Sequence, residues 1–472
     1  MSAPDVEADP ARRHLSVSDR EALGRAAADR VAVADLADLG DGADRDPIGL
    51  LVGQAGTRVP ELVPIRHGRM ARTPFTFYRG AALVMADDLA RTPNSGLTVQ
   101  LCGDAHLSNF GLYATPERQL TFDVNDFDET YPGPFEWDVK RLAASLVVAA
   151  LGNGFTPKIA KEIAQGCATE YRTTMAGLAS MGTLKAWYSH AIPTPDLALL
   201  SPYLDPKSAK EVQRTIKKAW RRDSLQALSK LTTVVDGALE FVDQPPLIVP
   251  IENLLGESAP GFYDEIARRY VDFRATMEPH HQVLLDRFEF VRMARKVVGV
   301  GSVGTQAWVL LLQGKDSGDP LLLQAKEAQR SVLAGYLDGP TYDNEGQRVV
   351  HGQKLIQAVS DVFLGWNGGP GLDGTQRDFY LRQLRDGKGS FVIEALDQKG
   401  LYAYGRVCAR VLAYGHGRSG DAVAISAYLG ETAEFDKAIR RFATRYAKVN
   451  TGDHAAFVAA IERGEVTAVA DV

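Results

Sequence analysis

Hydrophobic positions along this chain change period several times, and each change marks an element. From Ser18 to Leu39 an alanine-rich run repeats at helical spacing, with Ser18 and Glu21 placed as a capping box. Residues 1–16 are polar, with scattered Pro and Asp, and are expected to be disordered. Residues 40–60 hold Gly and Asp clusters and read as a loop with a short helix. Val99–Cys102 and Leu120–Val124 are short strand-like runs, joined through a turn at Thr115, Pro116 and Glu117. Tyr131–Pro134 reads as a further turn. Trp137, Val139, Leu142, Ala143, Leu146, Val147 and Ala150 predict a buried helix over Phe135–Leu151, and Thr156–Met181 predicts another. Residues 182–290 read as mostly helical, broken at prolines. The period then shortens: Trp308–Leu312 and Leu321–Leu323 predict strands of one hairpin. Gln347–Leu364 predicts a helix, Phe379–Leu384 an edge strand, Leu401–Tyr414 a helix, and Ala422–Val472 two or more helices.

Composition narrows the class. With 472 residues the chain exceeds what one core usually organises. A formal charge of −6 argues against a general nucleic-acid binder, which needs a basic face. Cys102, Cys167 and Cys408 are too far apart in sequence for a disulfide framework or zinc site, so a reducing cytoplasmic location is expected. No apolar run is long enough to span a membrane.

The candidate chemistry lies between Thr98 and Glu129. Two strands deliver Asp104, His106 and Asn109, then Asn125, Asp126, Asp128 and Glu129, to one place. Phosphoryl transfer needs an aspartate to take the acceptor's proton, and an amide oxygen with a second aspartate to hold Mg²⁺. Asp104 and Asn109 are five residues apart, the spacing of base and metal-binding Asn in kinase catalytic loops. Asp126, with Asp128 as its rival, takes the second metal position. Asp138 reads as a structural tie for the loop. An Arg-rich stretch, Arg66, His67, Arg69, Arg72 and Arg79, interleaved with Phe75, Phe77 and Tyr78, could clamp an anion. A solvated helix end beside core aromatics is the reading preferred for it.

A second motif follows. Gly299, Gly301, Ser302 and Gly304 stand before a strand rather than a helix, which excludes the dinucleotide-binding reading. Strand, Gly-rich turn, strand, turn and a strand carrying Lys326 form the order of a kinase nucleotide-binding hairpin. Gln383 and Arg385 fall where the chain would meet an adenine ring. The helix expected to supply a Glu partner for Lys326 contains none; Glu327 and Glu345 flank it.

GDAHLSNFG and NDFDE resemble the catalytic segment of aminoglycoside- and choline-kinase-like enzymes, with Cys102 where those have His. Together with GVGSVG, LLLQAKEA and YLRQLRDGKGS, these motifs make residues 45–460 similar to the bacterial family called domain of unknown function 2252. The resemblance implies a two-lobed α+β kinase-like fold, circularly permuted because Asp104 precedes Lys326. It divides into an N-terminal tail and helix (1–45), a helical catalytic lobe (46–290), an antiparallel sheet lobe (291–390) and C-terminal helices (391–472). The expected ligands are ATP, Mg²⁺ and a small-molecule hydroxyl acceptor. Three rivals stay open: an AMP transferase on the same fold, a metal-dependent phosphoesterase using Asp104, His106 and His416, and a non-catalytic nucleotide binder.

Overall fold

The computed structural model describes residues 15–42, 44–191, 224–235, 238–297, 299–301, 303–316, 318–384 and 389–469, with Lys210 and Arg214. Most of the tail expected to be disordered, Ser302 and Arg385 lie outside these residues. Five helices come first: α1 (Val17–Arg30), α2 (Pro47–Ala55), α3 (Val63–Ala71), α4 (Pro74–Gly80) and α5 (Ala82–Ala90). The capping box of α1 uses Ser16 and Asp19, not Ser18 and Glu21, so the helix starts slightly earlier than its apolar pattern suggests.

Four short strands follow: β1 (Thr98–Leu101), β2 (Phe110–Ala114), β3 (Leu120–Val124) and β4 (Tyr131–Pro134). They make two separate antiparallel pairs, β1 with β4 and β2 with β3. Tyr131–Pro134 is therefore a strand and not a turn; its backbone satisfies the otherwise open edge of β1. Then come α6 (Glu136–Gly152), α7 (Pro157–Ala179) and α8 (Thr183–Trp187). Every residue of α6 from Glu136 to Ala150 is buried, because helices pack around it on all sides.

The middle of the chain is less helical than its composition suggests. It holds α9 (Ser224–Leu231), β5 (Thr232–Val235), β6 (Ala238–Phe241), β7 (Ile248–Pro250), α10 (Ile251–Leu255), α11 (Ala259–Ala275) and α12 (Pro279–Leu285). Next are β8 (Glu289–Lys296), β9 (Ala307–Gln313), β10 (Pro320–Ala328), α13 (Glu345–Ile356), β11 (Gly365–Pro370) and β12 (Gln376–Gln383). The chain closes with α14 (Gln398–Ser419), α15 (Ala422–Leu429) and α16 (Glu434–Glu462).

Six strands form one antiparallel sheet in the order β11-β12-β10-β9-β8-β7. β12, expected at the edge, lies between β10 and β11. Its apolar Phe379, Tyr380 and Leu381 fit an interior strand, whereas β11 and β7 take the edges. The unbroken apolar run of β9 follows from a sheet covered on both faces. On one face Trp308, Leu310, Leu321 and Leu323 pack with Ile266 and Phe273 of α11 and Leu285 of α12. On the other, Val309, Leu311, Leu322 and Leu384 pack with Leu228 and Leu231 of α9 and Phe241 of β6. Residues 248–285 thus pack on the sheet, and the division drawn at residue 290 falls inside the sheet unit. The larger core belongs to α6, α7, α14 and α16. The result is a mixed α+β protein in which a helical body meets a small antiparallel sheet.

Candidate active site

The loop after β1 is held by its backbone. Asp138, on the first turn of α6, accepts the N–H of Cys102 at 2.8 Å and of Gly103 at 3.1 Å. His416 of α14 stands 3.3 Å behind the same carboxylate and meets the Tyr171 hydroxyl at 2.8 Å. The loop that bears Cys102 is thus tied to the helical body. Gly103 has φ +85°, and a Cβ there would meet the Glu129 carbonyl at 2.1 Å, so the loop needs glycine. His416 lies within α14, which runs to Ser419 rather than ending near Tyr414. It is fully buried against Asp138 and cannot join Asp104 and His106 in a metal pair.

Asp104 is the first acidic group this loop presents. Arg141, also on α6, grips its Oδ1 from Nε at 2.8 Å and from Nη2 at 2.6 Å. Oδ2 makes no hydrogen bond among the described residues; His106 Nε2 is 3.6 Å from it. Burial raises the Asp104 carboxyl above its ordinary range, against the pull of Arg141. Burial, with Arg79 and Arg141 beside it, pushes His106 well below its ordinary value, so the ring is neutral. Asn109 donates its amide N–H to the Asp104 carbonyl at 2.9 Å, which leaves its Oδ1 as the end able to meet a cation.

The second acidic group follows β3. Asp128 binds Lys326 of β10 closely through Oδ2 and the Tyr380 hydroxyl at 2.8 Å through Oδ1. Asp126 Oδ2 lies 3.7 Å from the same Lys326 Nζ. Burial and then Asp128 raise the Asp126 carboxyl, whereas Lys326 and Tyr380 overcome burial and hold Asp128 below its ordinary value. Lys326 itself is held above the ordinary lysine range: its two carboxylates outweigh the burial. The partner of Lys326 is therefore Asp128, with Asp126 behind it, and neither Glu327 nor Glu345. Glu327 is taken by Arg377 at 2.7 Å and by the Gln306 N–H at 2.7 Å.

The helix between β10 and β11 supplies a different residue instead. Arg348 of α13 is buried and donates to the carbonyls of Thr130 at 2.7 Å, Asp128 at 2.8 Å and Gln329 at 2.8 Å. Its Nε meets Glu345 at 2.5 Å. One guanidinium thus ties the acidic loop to the end of the lysine strand.

Asp104, His106, Asn109, Asp126, Asp128 and Glu129 line one cavity of about 120 Å³ together with Gly299, Val300 and Gly301 of the turn after β8. The sheet's glycine turn therefore faces the acidic loops of the helical body. Gly304 does not line it but stands behind its wall: its φ is +93°, it packs on the Arg58 side chain, and its carbonyl takes the Val59 N–H at 2.7 Å. Gln383 is elsewhere. It lines a separate cavity with Tyr113, Asn125, Asp361 and Arg382, because the strand carries it past the lysine to the sheet's far end. Among the described residues no group of three or more His, Cys, Asp or Glu side chains is placed to hold a metal. Asn109, Asp126 and Asp128 offer oxygen donors alone, the set Mg²⁺ uses with phosphates and water completing its shell.

A bacterial family described as "Uncharacterized protein conserved in bacteria (DUF2252)" matches residues 58–460. The chain belongs to that family. No curated protein and no solved structure matches it. In this DUF2252 protein, the match begins at Arg58 and so takes in the arginines of α3 and α4 as well as both acidic loops and the lysine strand. Arg72, at the end of α3, is exposed as a solvated helix end would be, but the others are not all so placed. Arg66 is 1 % exposed, and Arg58, Arg66 and Arg79 line the same cavity as Asp104. Their signal in the sequence was the interleaving with Phe75, Phe77 and Tyr78, which places charges on a helix with little solvent face. Among the described residues no helix is long and apolar enough to cross a membrane.

Proposed function

We propose that this protein is an ATP- and Mg²⁺-dependent phosphotransferase acting on a hydroxyl of a small molecule, with a circularly permuted kinase-like arrangement. The observation that carries the reading is the convergence of Asp104, Asn109, Asp126 and the Gly299–Gly301 turn on one cavity, with Lys326 bound to its acidic loop. Lys326 lies on the third strand counted from the glycine-turn hairpin and precedes a helix, the kinase order. Asp104 is the base: Arg141 fixes Oδ1, so Oδ2 is free to take the proton as the acceptor oxygen bonds to phosphorus and the nucleoside diphosphate departs. Asn109 and Asp126 would hold Mg²⁺, whose charge neutralises the phosphate oxygens. Lys326 would exchange Asp128 for those oxygens.

Transfer of AMP in place of phosphate is the second reading, and two observations favour it. No helix glutamate partners Lys326. The sheet face that carries Lys326 is covered beyond it by Leu228, Leu231 and Phe241, where an adenine ring would lie in the kinase pose.

The test is thermal unfolding with ATP and Mg²⁺. A ligand at about 100 times its Kd stabilises the native state by about 2.7 kcal/mol, a shift of a few degrees. The parent protein is expected to show it and Lys326→Ala to lose most of it. Equal stabilisation of both proteins would show that the phosphates do not sit at Lys326.

A further inference from the structure

Opposite the acidic loops, the cavity is walled by arginines that the mechanism above does not use. Arg58 comes from the segment between α2 and α3, Arg66 from α3 and Arg79 from α4. Arg66 and Arg58 are 1 % and 8 % exposed. Arg58 and Arg66 spend only part of their guanidiniums on the protein. Arg58 Nη1 donates to the Val303 carbonyl at 2.7 Å. Arg66 Nη2 donates to the Gly80 carbonyl at 2.7 Å and to Gln54 Oε1 at 3.0 Å. Arg58 Nε, Arg66 Nε and Nη1, and Arg79 Nε are buried and have no partner among the described residues.

Among the described residues none of the three guanidiniums has a carboxylate within salt-bridge distance, although Asp104, Asp126, Asp128, Glu129 and Glu327 line the same cavity. Burial, and for Arg66 the charge of Arg58 beside it, works against all three. Arginine does not shed its proton to escape this cost. Two other buried arginines beside the acidic loops are matched by carboxylates and carbonyls: Arg141 by Asp104 and the Tyr78 carbonyl, Arg348 by Glu345 and three carbonyls. The contrast within one cavity marks these donors as suited to an anion. The glycine turn is clamped to this wall, because Arg69 bonds the Gly299 carbonyl at 2.7 Å and Gly301 lies against the Arg79 carbonyl. The arginines therefore stand beside the turn.

We infer that Arg58, Arg66 and Arg79 form an oxyanion subsite that takes a phosphate group at the end of the cavity facing Asp104. Fork-shaped guanidinium donors suit the tetrahedral oxygens of phosphate, and three converging charges suit its double charge. The phosphate is either the terminal one of the nucleotide or one carried by the acceptor. The inference deepens the phosphotransferase reading by naming the chemistry of the ligand there. Its test needs neither nucleotide nor Mg²⁺, so the two fail separately.

The probes are inorganic phosphate and pyrophosphate, titrated calorimetrically into the full chain at fixed ionic strength with chloride as the reference salt. Both are expected to bind, and Arg79→Gln to weaken them at least about tenfold. Arg66→Gln should do the same; if it does not fold, the half-buried Arg79→Gln decides. Arg268→Gln, on the exposed face of α11, should bind as the parent does. No binding of either anion above chloride, or equal binding by Arg79→Gln, overturns the subsite. Adding adenylyl imidodiphosphate then assigns it. Competition with phosphate gives the subsite to the nucleotide's terminal group, and simultaneous binding gives it to a phosphorylated acceptor.

Discussion

The two walls of the cavity hold their charges in opposite ways. On the acidic wall most groups are spoken for: Asp104 by Arg141, Asp128 by Lys326 and Tyr380, Glu129 by the Val332 N–H at 2.7 Å. On the arginine wall, Arg58, Arg66 and Arg79 keep buried nitrogens without partners among the described residues. Paired charges in a low-dielectric site fix geometry; unpaired ones wait for a ligand. One wall is thus built to position groups and the other to receive an anion. Substitutions on the two walls should therefore differ in kind: stability on the first, binding on the second.

The largest effect on stability is expected at Arg348, which ties the acidic loop to the lysine strand. Arg348→Met leaves the carbonyls of Asp128, Thr130 and Gln329 without this donor and Glu345 without its cation. A loss of roughly 3–5 kcal/mol is expected, as when one partner of a buried ionic network is removed. Denaturant midpoints at unchanged slope would measure it. Arg79→Gln, which removes an unsatisfied charge, should leave the midpoint level or raise it. A loss at Arg79 as large as that at Arg348 would erase the distinction between the walls.

A smaller effect is expected from pH. Burial pushes the Glu129 carboxyl up to about 7, above its unfolded value. Between the unfolded pKa and 7 the native state binds the extra proton, so this contribution to stability is present in acid and lost as pH rises through about 7. Glu129→Gln cannot titrate. Relative to it, the parent should lose melting temperature from about pH 5 to 8 and level off above. Asp123, also pushed up by burial, to about 6, is present in both proteins and cancels in the comparison. A difference that stays constant across this range would contradict the account of Glu129.

Local spacing made the acidic wall legible in the sequence. Asp104 and Asn109 belong to one loop, Asp126 and Asp128 to one strand end, and Lys326 to a hairpin whose turn and strands are contiguous. The arginine wall is assembled from α3, α4 and the segment before them, and its meaning depends on burial that no local pattern states. Arg348 was hidden differently: a helix read for a missing glutamate offered an arginine beside Val349 and Val350, on the face that turns inward. Tyr131–Pro134 was missed because a four-residue strand with two prolines owes its state to its partner β1. Gln383 was placed by sequence adjacency to the expected nucleotide hinge, but the interior position of β12 carries it to another cavity. The cover that Leu228, Leu231 and Phe241 place over the lysine face likewise depends on tertiary packing that their own segment does not reveal.

The division of roles on the acidic wall is the centre of the account, and one calorimetric comparison tests it. Mg-ATP is titrated into the parent, Asp104→Asn and Asp126→Asn, and ATP turnover is measured on the same samples. Asp104→Asn keeps the size of the side chain but removes the proton acceptor. It should bind Mg-ATP within about threefold of the parent while turnover falls by roughly 10²–10⁴. Asp126→Asn should lose both affinity and turnover, since it removes a metal ligand. If Asp104→Asn loses nucleotide affinity while Asp126→Asn keeps affinity and turnover alike, Asp104 is not the base and Asp126 does not hold the metal.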